Sequence, residues 1–423
     1  MKALTRHPLV SSLIRAEGNP KASMYTEPLW GIPFNLYAPF ASVYMLALGV
    51  SERSIGLIAT VGLALQIVTS MLGGPITDKL GRKRATFIFD TISWSIPTLL
   101  WAFAQSEVWF YLAAFFNSML RITMTSWTCL FIEDAPKDRV VHFWTWVHIA
   151  GIVAGFVTPL AGLLIERFEL IPMMRLIYLF AFISMTAKFV ILNIVATETR
   201  QGHVRLAETA GVPLRTLVAE LIRDIPRIFR SSGTLVVIVL LAVHAIYITI
   251  RGTFFSVLLA EGLAFTPREI GIFPALRSLV VLGFFFFVIP RLKQDRHVGY
   301  LLVGIGTTII SLVVLVIAPV RGVAVVTIAT IVEAIGAALL APYLEGFVTA
   351  AIDPHHRARI LAVANTVVLA VASPFGWIAG VLSEQAKALP FVLAGAVLVL
   401  SLVVVVAMNP ERRPRSRSGE LGS

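Results

Sequence analysis

Four charged side chains, Arg121, Arg251, Arg277 and Glu333, stand inside long apolar runs, and His244 shares its run with Arg251. A charge among apolar residues is costly, so each marks a partnered structural pair or a working group. A guanidinium binds carboxylate or phosphate through two parallel hydrogen bonds, and a buried carboxyl such as Glu333 suits proton exchange. The chemistry on offer is recognition of an anion and carriage of a proton. Arg175, near the end of its run, reads as an interfacial side chain. Asp90 reads as a partner for a basic loop and Lys188 as a lysine reaching to the membrane surface. Signatures of other chemistry are missing: there is no H-E-x-x-H, no G-x-x-x-x-G-K-[ST] and no Cys/His cluster. The single cysteine, Cys129, lies in an apolar run and reads as a packed side chain. No enzymatic activity, metal or cofactor is expected.

The elements that must position these groups follow from composition. The chain has 423 residues, of which 57% are hydrophobic and 14% charged, whereas a soluble protein carries about 25% charged residues. An all-α integral membrane protein is expected. Twelve apolar stretches of about 20 residues, the length that crosses a bilayer core, lie between residues 28 and 408. The first 27 residues show no signal-peptide pattern. The predicted organisation is a cytoplasmic N-terminal segment (1–27), a six-helix bundle (28–196), a cytoplasmic linker (197–232), a second six-helix bundle (233–408) and a basic cytoplasmic tail (409–423). With both termini inside, alternate connections and the termini hold 25 Lys and Arg residues and the opposite loops only 5. That asymmetry accounts for the net charge of +11 through the positive-inside rule, so nucleic-acid binding is not needed to explain it. In the linker, Leu214, Leu217, Val218, Leu221, Ile222 and Ile225 share one helical face. This predicts an amphipathic helix lying on membrane lipid or against the bundle underside.

Two halves imply a repeat, and traces of one are present. "SERSIG" (51–56) recurs as "TPREIG" (266–271), offset by 215. An offset of 218 aligns Gly162 with Gly380 and Glu166 with Glu384, and "DKLG" ending at Gly81 with "DRHVG" ending at Gly299. Both hexapeptides start helices. In the second, Thr266 can cap, Pro267 fits the first helical position and Glu269 completes a capping box.

The stretch "GGPITDKLGRKRATF" (73–87) falls between the second and third apolar runs. Its Gly74, Asp78, Lys79, Gly81, Arg82 and Lys83 fit G-x-x-x-D-[RK]-x-G-[RK]-[RK]. Gly74 would allow close helix approach, Gly81 a tight turn, and Asp78 could meet the positive N-terminus of another helix. Arg82 can reach Glu133 or Asp134 at the end of the fourth run. The stretch resembles the signature loop of the major facilitator superfamily. That resemblance implies two pseudo-symmetric bundles of six transmembrane helices and a latch closing the cytoplasmic side.

The resemblance also implies that helices 1, 4, 7 and 10 line a central cavity, which singles out Asn35, Tyr37, Arg121, His244, Arg251 and Glu333, with Arg277 joining from helix 8. The expected function is secondary active transport of a small solute across the cell membrane by alternating access, the guess being an organic anion moved with a proton. The expected partners are that solute, protons and membrane lipid, and the chain is expected to be a monomer. A drug/proton antiporter is the alternative. "GIVAGFVTPLAG" (151–162) resembles a helix-5 motif of such antiporters, but its proline is displaced, and the arginine expected near 113–115 is missing. A membrane enzyme or a sensor that transports nothing ranks lower.

Overall fold

The computed structural model describes residues 8–223, 232–292, 297–351 and 357–407, and the regular elements in them are helices. The first half contains α1 (Pro8–Ile14), α2 (Gly18–Thr26), α3 (Pro28–Tyr37), α4 (Ala41–Ala47), α5 (Glu52–Leu80), α6 (Arg82–Asp90), α7 (Ile96–Ala102), α8 (Glu107–Asn117), α9 (Leu120–Ile132), α10 (Val140–Ala154), α11 (Thr158–Phe168) and α12 (Leu170–Val195). The linker forms α13 (Arg200–Glu208) and α14 (Leu214–Arg223). The second half contains α15 (Ser232–Val257), α16 (Pro267–Phe287), α17 (His297–Val316), α18 (Val323–Ala351), α19 (Arg357–Gln385) and α20 (Leu389–Ala407). The tail, Asp295 of "DRHVG", and Ile225 at the end of the amphipathic pattern lie outside the described residues.

Among the described residues, nine helical stretches are long and apolar enough to cross a membrane. The expected stretches near 28–48, 85–104 and 107–131 are helical but broken. Pro39, with no N–H to donate, sits in a 3₁₀ turn at Ala38–Phe40. A π-helical turn at Thr91–Ser95 precedes Pro97, and Asn117 donates to the freed Ser93 carbonyl at 2.8 Å. At the third break, Thr69 donates to the Ser118 carbonyl at 2.7 Å. Polar side chains thus satisfy two of the backbone carbonyls at these breaks, as an apolar surrounding requires.

Residues 18–27, expected to precede the first crossing, run antiparallel to the end of α12. Asn19 exchanges two 2.9 Å hydrogen bonds with the backbone of Thr197, and Ser184 donates to the Leu29 carbonyl at 2.7 Å. Helix α14 packs on α5, so the amphipathic linker segment covers protein on that side.

The halves meet at two glycine crossings. Gly56 on α5 lies against Gly376 and Gly380 of α19, and Gly271 on α16 lies against Thr158 and Gly162 of α11, with no free space for a Cβ at these approaches. The two crossings correspond under the offsets 215 and 218. The predicted capping box is present: Thr266 Oγ1 accepts from Glu269 N–H at 3.3 Å, and Glu269 accepts from Thr266 N–H at 2.8 Å. Further links between halves are the Glu52–Lys387 ion pair, Arg53 N–H to Glu384 at 3.2 Å, Thr60 to the Ser373 carbonyl at 2.7 Å, and Ser70 with Thr366 at 3.2 Å. Among the described residues the first three of these links lie toward the end away from the 78–83 loop, and the Ser70–Thr366 contact lies nearer the loop.

Candidate functional site

A cavity of about 560 Å³ lies between α3, α5, the segment around Trp94, α8 and α15, within the range of small-molecule sites. Its wall is aromatic, with Phe34, Tyr37, Trp94, Trp101, Phe110 and Tyr178. Gln66, Thr98, Asn117, Thr249 and Thr253 add uncharged polar groups. Trp30 backs this wall, stacked on Phe34 at 4.8 Å and edge-on to Trp94 at 5.0 Å. Such a surface accepts a flat or apolar body and offers it a few hydrogen bonds.

Charges gather behind and beside the wall. Helix α15 turns Ile248, Thr249, Gly252 and Thr253 to the cavity, while Tyr247, Arg251 and Phe255, spaced by four, face a crevice toward α18. There Glu333, 3% exposed, accepts from Tyr247 at 2.7 Å and from Arg277 at 2.9 Å and forms an ion pair with Arg251 at 3.2 Å. The Arg251 guanidinium also lies 4.4 Å from the Phe255 ring. Two guanidinium groups on one carboxylate leave a net positive charge. Arg277 uses only its Nε among the described residues, and its side chain is 35% exposed. On the other flank, Arg121 donates to Gln66 of the cavity wall at 2.8 Å.

At the 78–83 loop, Gly81 has φ +82° and bears no side chain to cap α6. Glu198 takes that place, accepting from Arg82 N–H at 3.0 Å and Lys83 N–H at 3.1 Å, a carboxylate at the positive end of a helix. The buried Arg82 guanidinium spans Asp78 and Glu133, both at 3.0 Å. Arg205 of α13 also binds Asp78, at 2.7 Å, and that hydrogen bond helps push its pKa above the ordinary guanidinium value. Thr199 donates to Glu133 at 2.6 Å, Asp134 accepts from Arg200 N–H at 3.1 Å, and Lys79 reaches the Val212 carbonyl. The loop is therefore tied to α9 and to the linker.

Several expectations change in detail. Arg82 selects Glu133, while Asp134 serves the linker backbone. Asp78 meets two arginines, and it is Glu198 that meets a helix N-terminus. Gly73 makes the close approach, to Thr125 and the Arg121 carbonyl, whereas Gly74 faces open space. Of the expected cavity residues, Tyr37 lines the wall and Arg121 touches it through Gln66. Asn35 bonds within its own helix, to the Gly31 carbonyl at 2.8 Å. His244 sits in an apolar crevice with Leu240, Leu301 and Leu340. Lys188, read as reaching to the surface, is instead buried and paired with Glu27 at 2.8 Å. Sequence reasoning missed the aromatic wall, Glu27, Glu198 and Arg205. The acidic residue just before the basic linker helix was the one available sign of Glu198.

The sequence profile of the Major Facilitator Superfamily matches residues 30–376. No curated protein matches the chain in sequence. Among solved structures, a POT family transporter in complex with 5-aminolevulinic acid is similar, with a TM-score of 0.71, 13% identity, and 93% of this chain and 96% of that one covered. The nucleoside transporter NupG gives 0.70 and 16%, with 93% and 99% covered. The human organic anion transporter MFSD10 (TETRAN) gives 0.64 and 14%, with 91% and 98% covered. At these identities the likeness concerns the fold, and the profile match over most of the sequence carries the assignment: the chain belongs to the Major Facilitator Superfamily of membrane transporters.

Proposed function

We propose that this transporter is a secondary carrier with twelve crossings in two six-helix bundles, moving a small organic anion with a proton by alternating access. The basic end faces the cytoplasm in this reading. The observation that carries it is the surplus of guanidinium around an uncharged aromatic cavity: Arg251 and Arg277 share the single carboxylate of Glu333, and Arg121 lies behind Gln66. The aromatic wall takes the body of the solute, and a guanidinium with free N–H groups, Arg277 foremost, draws its anionic group as the halves move. The absence of a nucleotide-phosphate motif leaves an ion gradient as the energy source.

A thermal-shift screen of the purified chain tests this. An aromatic carboxylate held at 100 times its dissociation constant should stabilise the protein by about 2.7 kcal/mol, and Arg277→Gln should remove most of that shift. The uncharged wall equally suits an amphipathic cation, the antiporter reading. Stabilisation by lipophilic cations and by no anion would decide for it.

A further inference from the structure

A second group of buried charges lies in the first half, outside the site described above. Lys188 on α12 donates to Glu27 at 2.8 Å, and Asp90, the last residue of α6, shares a crevice with Phe189 and Leu192 of α12, within electrostatic reach of both charges. All three residues are less than a tenth exposed. Two carboxyls and one ammonium leave a surplus negative charge in the bundle interior, which is costly until something neutralises it.

Among the described residues, the other charges on the elements packed against the group are engaged elsewhere, Lys83 excepted. On α9, Thr123 and Trp127 face the group, while Arg121 is bonded to Gln66, Glu133 to Arg82, and Cys129 lies beside those two. On α5, Asp78 is held by Arg82 and Arg205, and Lys79 by the Val212 carbonyl. On α12, Arg175 bonds the Ala104 carbonyl near the far end of the helix. On α2, Lys21 lies over the Tyr25 ring. Lys83, on α6 itself, lines with Asp90 and Asn193 a crevice too narrow to hold a water molecule in this arrangement, so a proton reaches Asp90 only as the surrounding helices move.

The group is joined to the cavity twice. Asp90 leads directly into the π-helical turn Thr91–Ser95, whose Trp94 is part of the cavity wall. Turns of this kind often mark places where a helix adjusts at a functional site. Glu27 leads into α3, and Lys188 lies 5.7 Å from the ring of Trp30, which stacks on Phe34 and meets Trp94 edge-on.

We propose that Asp90, Glu27 and Lys188 bind the coupling proton, and that Trp30 and Trp94 pass its arrival to the cavity wall. A hydronium ion gives one proton to a carboxylate oxygen of Asp90, an O–H bond forms, and water leaves. The group becomes neutral as a whole, with the Lys188–Glu27 pair intact. The coupling role rests on the carrier reading; the binding of the proton does not.

Infrared difference spectra of the full chain in lipid bilayers, taken between alkaline and mildly acidic pH with no transported solute, read the proton directly. The expected signal is the carbonyl band of a protonated carboxyl, identified by its shift in D₂O. It should appear in the wild type and in Glu333→Gln, be retained in Asp90→Glu, and be lost in Asp90→Asn. Glu27→Gln, which leaves a neutral Asp90–Lys188 pair with no surplus charge, should lose it too. A wild type without the band, or an undiminished band in either Asp90→Asn or Glu27→Gln, overturns the proposal. Because no solute is present, a positive result beside a thermal screen without an anion response would sink the cargo reading alone.

Discussion

Arg82 is the most heavily committed side chain at the basic end. It has acceptors on two acidic residues, and its own backbone N–H is held by Glu198. Arg82→Gln would leave Glu133 without its guanidinium partner, while Arg205 still serves Asp78. Breaking a buried pair from one side costs about 3–5 kcal/mol, so thermal unfolding in detergent should show a clear loss of stability. Arg82→Lys should recover only part of it, because a point charge cannot span two carboxylates as a planar fork does. An unchanged melting temperature in the Gln variant would reduce the network to surface decoration. That Arg82 would meet an acid at the end of the fourth run was legible because basic and acidic residues fall at adjacent helix ends, while the choice of Glu133 over Asp134 was not. The Glu198 contact was not, since a side chain binding backbone N–H groups leaves no charge pattern to match. The aromatic wall was hidden for another reason: in a membrane chain, Trp and Phe facing a cavity look the same in sequence as Trp and Phe facing lipid. Lys188 misled because its place near a helix end admits both an interfacial and a paired reading, and its partner Glu27 stood in a stretch assigned to the polar N-terminus.

At the level of helices, the glycine crossings hold the halves together at the end away from the 78–83 loop. A Cβ at Gly380 would meet the Glu52 carbonyl at 2.6 Å, so Gly380→Leu must push α19 from α5. Overpacking of this kind costs about 1–3 kcal/mol, and here part of the strain is relieved by opening that end. Ser383 is fully buried in the same region. A Ser383→Cys probe should therefore resist an impermeant thiol reagent in the wild-type background and react in Gly380→Leu. Equal protection in both backgrounds would mean that the crossing does not control this end. The crossings were foreshadowed by the repeat offsets, since the same hexapeptide start places Gly56 and Gly271 alike. The capping box was readable from residue types alone. The breaks at 38–40 and 91–95 were not, because counting apolar residues over a window is blind to a helix that changes its hydrogen-bond pattern while staying apolar.

At the scale of the molecule, among the described residues the Glu52–Lys387, Arg53–Glu384 and Thr60–Ser373 links join the halves toward the end away from the basic loop, and the linker is bonded to the first half at the other. A carrier in this arrangement must break the Glu52–Lys387 pair and part the glycine crossings to expose its cavity on the far side. The all-helical membrane character was legible because composition alone demands apolar helices of membrane length. The character of the cavity was less so, because its wall is uncharged and the nearby charges lie behind α15 and beside Gln66. Uptake into proteoliposomes tests the central claim most directly: the purified chain is reconstituted, a pH gradient is imposed, and accumulation of a labelled aromatic carboxylate identified by the thermal screen is followed. A proton-coupled anion carrier concentrates the solute above its external level, loses that accumulation when a protonophore collapses the gradient, and is crippled by Arg277→Gln. Equilibration without accumulation, accumulation indifferent to the protonophore, or gradient-driven movement of a lipophilic cation instead of the anion would contradict it.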